Sequence, residues 1–228
     1  MGMSSGKTHD TGKEASWVCR LGVLISGSGT NLENIARKIE EGYLRARIAV
    51  VISDREDAYG LVRARRHGLQ AVFLDPESFP DRVSFDRELI RILRENRVDL
   101  VVLAGYMRLV SPEFVEAFRH RIMNIHPALL PSFPGTSGVV DALAYGVKVT
   151  GVTVHFVDEG LDTGPIILQD AVPVLPGDDA ESLHERIHGV EYRLYPEAIR
   201  LFCEGRLRVE GRHVRILGEG AEESIGLA

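Results

Sequence analysis

Cysteine is scarce: Cys19 and Cys203 are the only two in 228 residues, and they form neither a CxxC pair nor a disulfide-dense spacing. That usage points to a reducing cytosol. Positive charge is also short, with 27 Lys and Arg against 33 Asp and Glu and a formal charge of −6. Nucleic-acid and anionic-membrane surfaces depend on clustered Lys and Arg that release counterions, so the deficit argues against both as partners. A local basic pocket for a small anion is still permitted. No secretory signal, membrane span, internal repeat or low-complexity linker is readable. The opening MGMSSGKTHDTGKEAS is polar, small-residue-rich and without an apolar period. Residues 1–17 therefore read as a disordered tail, residues 218–228 as a second tail, and residues 18–217 as one compact unit.

What is present is a chain that is 44% hydrophobic and 26% charged, the mixture of an ordinary globular protein. Short apolar runs alternate with amphipathic segments: VCRLGVLI, NLENIARKIEEG, ARIAVVIS, YGLVRARRHG, AVFL, SFDRELIRILRENR and VDLVVLAGY. This is β–α–β order, and it predicts an α/β fold with a doubly wound, mostly parallel sheet and a Rossmann-like N-terminal half. The second half adds VTGVTVHFV and PIILQDAVPV as alternating runs, a helix from about Ala180 to Phe202, and a terminal pair, RLRVEG and RHVRIL, turning at Gly211. Ligands of such sheets sit beyond the carboxyl ends of the strands, which is where RIMNIH delivers Asn124 and His126.

Four stretches carry chemistry. ISGSGTNL, residues 25–32, runs from a strand through a glycine turn into a helix, so backbone N–H groups and the helix dipole form an anion site. It is neither GxGxxG nor a Walker sequence, which argues against a nucleoside triphosphate. The competing reading is a tight turn in which Thr30 or Asn31 caps the helix. In NIHPALLP, Asn124 and His126 stand at i and i+2 on one strand face and can converge on a single atom, while Pro127, Pro131 and Pro134 stiffen the following loop. DEGLDTGPIILQ, residues 158–169, places Asp158, Glu159 and Asp162 in a glycine-punctuated loop; any of the three could orient and pair with His126. HERIH, residues 184–188, matches the zinc-protease pattern HExxH, but no further ligand follows at a recognised spacing. The same helix is explained by a buried stripe of Leu183, Ile187, Val190 and Leu194, beside a second stripe of His184, His188 and Glu191.

Taken in order, SGSGTNL, VVLAGYMRLVSP, MNIHPALLPSFPG, GVTVHFVDEGLDTGPIILQ and VEYRLYP resemble the phosphoribosylglycinamide formyltransferase family, from about Leu21 to Arg206. The resemblance implies the formyltransferase fold and transfer of a formyl group from 10-formyltetrahydrofolate, as cosubstrate, to glycinamide ribonucleotide in cytoplasmic purine biosynthesis. It implies no metal and leaves a homodimer open. The family triad falls on Asn124, His126 and Asp162. The substrate phosphate falls on Gly29, Thr30 and Asn31, and its ribose on Glu191 near His188. The folate falls on Arg82, on Met107, Arg108, Leu109 and Val110, on Asn124, and on Asp158, Glu159, Gly160, Leu161 and Asp162. One departure is visible: many relatives carry a His two residues after the Pro-Gly of the proline loop, and here Thr136 and Ser137 follow Gly135. Methionyl-tRNA formyltransferase and formyltetrahydrofolate deformylase resemble the same core. The first is expected to need an additional C-terminal RNA-binding domain and a basic surface, the second an N-terminal regulatory domain and no SGSGTNL turn. A non-catalytic small-ligand-binding relative is the remaining alternative.

Overall fold

The computed structural model describes residues 17–218. The tails expected at residues 1–17 and 218–228 lie outside that span, apart from Trp17 and Gly218. The strands are β1 (Cys19–Ile25), β2 (Ala46–Ser53), β3 (Ala71–Phe73), β4 (Leu100–Leu103), β5 (Ile122–His126), β6 (Val149–Phe156), β7 (Ile166–Pro173), β8 (Leu207–Glu210) and β9 (His213–Ile216). Among the described residues they form one sheet in the order β3-β2-β1-β4-β5-β6-β7-β9-β8. The pairs from β3 through β5 are parallel, whereas β6 runs antiparallel to both β5 and β7. The expected mostly parallel α/β sheet is therefore present, with an antiparallel insertion directly beside the strand that carries Asn124 and His126.

Six α-helices are described: α1 (Thr30–Glu40), α2 (Tyr59–Arg66), α3 (Arg82–Glu95), α4 (Pro112–Ala117), α5 (Gly138–Tyr145) and α6 (Ala180–Cys203). They cover two faces. Leu21, Val23, Met123 and Ile125 belong to the core with Leu32, Ile35, Ile187 and Tyr195. Leu24 and Ile122 belong to the opposite core with Phe85, Leu89, Phe114 and Phe118. Strand side chains alternate, so Asn124 and His126 share the parity of Ile122 and stand opposite to Met123. None of the described helices is long and apolar enough to cross a membrane.

Helix α6 contains Pro196, which has no N–H to give to the Tyr192 carbonyl four residues earlier. That carbonyl is instead taken by Asn34 Nδ2 of α1 at 2.8 Å. The helix thus continues through a proline because the freed acceptor is satisfied by a neighbour. The same bond docks α1 against α6.

Candidate active site

The turn between β1 and α1 is built for close backbone approach. Gly29 is the N-cap of α1, has φ of 71° and supplies no side-chain cap. A Cβ at this position would meet Gly60 Cα at 2.6 Å. The start of α2 braces the turn: Gly60 N donates to the Gly27 carbonyl at 3.0 Å, and Arg63 Nε donates to the Ser28 carbonyl at 3.0 Å. Neither Thr30 nor Asn31 caps the helix, contrary to the competing sequence reading, because the position is held by glycine. The first N–H groups of α1 are left for an external acceptor.

Asn31 reaches across the fold instead. Its Nδ2 donates to Glu191 Oε2 at 3.2 Å, and its Oδ1 is buried without a partner among the described residues. Glu191 is only 4% exposed, and its Oε2 also lies 2.8 Å from His188 Nδ1. That hydrogen bond, opposed by burial, lifts the His188 pKa above the ordinary histidine range. The HERIH histidines stack on each other with centroids 4.2 Å apart. His188 and Asn31 thus meet on Glu191 Oε2, the side where the resemblance puts the ribose.

The other half of the site gathers at the end of β5. His126 is 3% exposed; its Nε2 lies 2.7 Å from the Phe133 carbonyl, and its Nδ1 lies 3.6 Å from Asp162 Oδ2. Both ring nitrogens face oxygen acceptors, an arrangement that the doubly N–H-bearing ring can use in full. Phe133 adopts φ of 54°, a left-handed conformation costly for an aromatic residue, and the proline loop holds it there. The loop is pinned by more than its prolines. Thr153 Oγ1 donates to the Ala128 carbonyl at 2.7 Å and accepts from Leu130 N at 3.0 Å, while Gln169 Nε2 donates to the Leu130 carbonyl at 2.9 Å.

Of the three acids in the loop after β6, only Asp162 turns inward. It has φ of 53°, accepts Gly135 N at 2.8 Å through Oδ2, and presents Oδ1 to Asn124 Nδ2 at 3.5 Å. Burial pushes its pKa up, but bonds from His155 and Gly135 and the nearby imidazoles hold the carboxyl below its usual range overall. Asp158 braces the loop through Gly160 N and Thr163 Oγ1. Glu159 is exposed and faces Arg119 at 3.6 Å. Neither is brought to His126.

Sequence reading missed His155. It pairs directly with Asn124 across the β5–β6 ladder, and its Nε2 lies 3.3 Å from Asn124 Nδ2 and 3.6 Å from Asp162 Oδ1. Its Nδ1 faces the Phe156 carbonyl at 2.9 Å, so that nitrogen donates and Nε2 is turned toward the Asn124 amide and the Asp162 carboxylate. The amide nitrogen of Asn124 is thereby positioned between His155 and Asp162.

Residues 107–110 follow β4 and are clamped at both ends. Met107 N donates to Ser26 Oγ at 2.9 Å, and Ser111 N donates to Asp86 Oδ2 at 2.5 Å. Asp86 is 2% exposed, and burial raises its pKa against the opposing pull of Ser111, Arg82 and Arg108. Arg82 itself is exposed at the start of α3. The Arg108 guanidinium lies over the Phe85 ring at 5.2 Å. Met107, 66% exposed, and the exposed Leu109 and Leu161 are apolar surface left open, while Val110 is partly buried against the core. We expect Asp86→Ala to leave the Ser111 N–H unpaired, costing about 1–3 kcal/mol of stability. Urea melts of wild type and variant check this; an unchanged midpoint would show that the Asp86 bond to Ser111 N contributes nothing to the fold.

Amide and imidazole donors beside an ionised carboxylate, at the C-terminal edge of a Rossmann-like sheet, are the parts of an acyl-group transferase. The chain belongs to the formyl transferase family, which it matches over residues 19–199. It is similar to glycinamide ribonucleotide transformylase 1 from Symbiobacterium toebii, at 60% identity and a TM-score of 0.87 over 88% of this chain and 95% of that one. It is 42% identical to the phosphoribosylglycinamide formyltransferase of Haemophilus influenzae over 206 residues, which are 90% of this chain and 97% of the relative. It is also 46% identical over 191 residues to the trifunctional purine biosynthetic protein adenosine-3 of Drosophila pseudoobscura pseudoobscura, of whose length the match spans 14%.

Proposed function

We propose that the protein transfers the formyl group of 10-formyltetrahydrofolate to the amine of glycinamide ribonucleotide, giving formylglycinamide ribonucleotide and tetrahydrofolate in the cytoplasm. The amine nitrogen attacks the formyl carbon, and the carbonyl π pair moves onto oxygen. Asn124 Nδ2–H and His126 Nδ1–H bind that oxyanion, and Asp162 stabilises the cationic ring. The amine then loses a proton, N10 of the folate gains one, and the carbon–N10 bond breaks. The acceptor phosphate sits on the α1 N-terminus at Gly29, Thr30 and Asn31, with its ribose against Glu191 and His188. The folate lies along residues 107–110 and the loop from Asp158 to Asp162.

The observation that carries this reading is the convergence of Asn124, His126 and Asp162 on the same sheet edge as an uncapped helix N-terminus. A deformylase needs only the first of these, since water brings no phosphate. The test offers glycinamide ribonucleotide, methionyl-tRNA and water in parallel, with 10-formyltetrahydrofolate as donor. We expect turnover with the ribonucleotide to exceed that with either other acceptor by orders of magnitude; preference for water or tRNA would overturn the assignment.

A further inference from the structure

The side chain that grips the catalytic strand from behind comes from α6. The Tyr195 hydroxyl lies 2.9 Å from the Leu103 carbonyl oxygen at the end of β4 and 2.9 Å from the Met123 carbonyl oxygen in β5. Its residue is 0% exposed. One hydroxyl proton is thus shared between carbonyls on two neighbouring strands, each of which has a lone pair to spare beyond the ladder. The positions are particular. The Met123 carbonyl belongs to the peptide group whose nitrogen is that of Asn124, and Leu103 is the residue paired with Asn124 across the β4–β5 ladder. Met123 packs in the same core as Tyr195, so the hydroxyl holds the strand on the face opposite to the Asn124 side chain.

The grip is continuous with the acceptor side. One turn earlier on α6, Glu191 accepts from Asn31 of the glycine turn and pairs with His188. A single face of α6 therefore contacts both the proposed acceptor pocket and the backbone under the oxyanion donor. Burial, and then the charge of Glu191, push the Tyr195 pKa upward, which keeps the hydroxyl proton available to the two carbonyls.

We infer that Tyr195 is a positioning residue for formyl transfer, setting the height of the Asn124 peptide and hence the aim of its amide. The inference rests on the proposed role of Asn124 as oxyanion donor. Tyr195→Phe keeps the ring and removes only the bridge. It should lower kcat by roughly 10–10²-fold, as sub-ångström to ångström misplacement of a catalytic group does, with the KM for each substrate within about two-fold of wild type. The side-chain amide ¹H–¹⁵N signal of Asn124, assigned by its absence from Asn124→Ala, should shift in Tyr195→Phe. Val98→Ala, a truncation in the opposite core, serves as a stability comparison and should retain wild-type kcat. A wild-type kcat in Tyr195→Phe, an unmoved Asn124 signal, or an equal kcat loss in Val98→Ala would each overturn the inference. If wild-type protein formylates no glycinamide ribonucleotide but the Asn124 signal moves in Tyr195→Phe, the acceptor reading fails and the grip on Asn124 stands.

Discussion

Asn124→Ala should slow formyl transfer by about 10²–10³-fold, equivalent to about 2.7–4 kcal/mol of transition-state stabilisation, while both substrates still bind. The amide nitrogen is fixed between His155 Nε2 at 3.3 Å and Asp162 Oδ1 at 3.5 Å, so it is already in place when the oxyanion forms and can exchange the longer of these contacts for it. Alanine removes that donor and leaves the buried His155 Nε2 facing Asp162 alone. Asp162→Asn should produce a loss of similar size by a different route. Asn tolerates the left-handed backbone that Asp162 adopts at φ of 53°, and its oxygen can still accept Gly135 N. The charge facing His126 is lost, and an N–H donor takes the place of the Oδ1 that faces Asn124 Nδ2. Single-turnover rates with saturating folate read both effects, and wild-type rates in either variant would remove that residue from the mechanism. Asp162 also predicts a pH signature. Its folded pKa is depressed, so its stabilising contribution is present above the unfolded carboxyl value of about 3.9 and is lost as pH falls through the lower folded value. Acid unfolding should therefore be less steep below about pH 4 in Asp162→Asn than in wild type.

Gly29→Val should abolish most acceptor use and spare the folate site. A β-branched residue at φ of 71° is strained by about 1–3 kcal/mol, and its Cβ would fall 2.6 Å from Gly60 Cα, a backbone atom that cannot rotate away. The turn must open or α2 must move, and either displaces the N–H groups at the start of α1. In the proposed reaction the phosphate is remote from the bond being made, so its binding energy would serve positioning and its loss should appear in kcat as well as KM. We expect kcat/KM for glycinamide ribonucleotide to fall by about 10²-fold or more, with Gly29→Ala intermediate. Tetrahydrofolate affinity, measured by calorimetry, should stay within about two-fold; its parallel collapse would point to general unfolding instead.

The alternation of apolar runs and amphipathic segments made the sheet and its long helices legible, since both periods are written in adjacent residues. Helices α4 and α5 were not: α4 has only six residues, too few turns to display a period, although Ser111 followed by Pro112 is a start signal that the structure uses, and α5, GVVDALAY, has Asp141 as its single charge, so no polar face sets off its apolar one. Asn124 and His126 could be read as a pair because i and i+2 share a strand face. His155 could not, because its strand looks like any apolar run and its meaning lies in a register with β5. Asn31 illustrates the same limit: as a local residue it reads as a cap, and its partner Glu191 is 160 positions away. Asp162 could be selected among three acids only by resemblance, since the feature that separates it from Asp158 and Glu159 is its left-handed backbone.

The proposed acceptor is held by a charge that the formyl chemistry itself does not need. The direct measurement is kcat/KM for glycinamide ribonucleotide against glycinamide riboside in the wild-type protein, with 10-formyltetrahydrofolate saturating. The two acceptors present the same reacting amine and differ only in the phosphate. A lower kcat together with a higher KM for the riboside is the predicted result, through loss of the contacts at Gly29, Thr30 and Asn31. Equal kcat/KM for the two would contradict the phosphate cradle and, with it, the choice of acceptor.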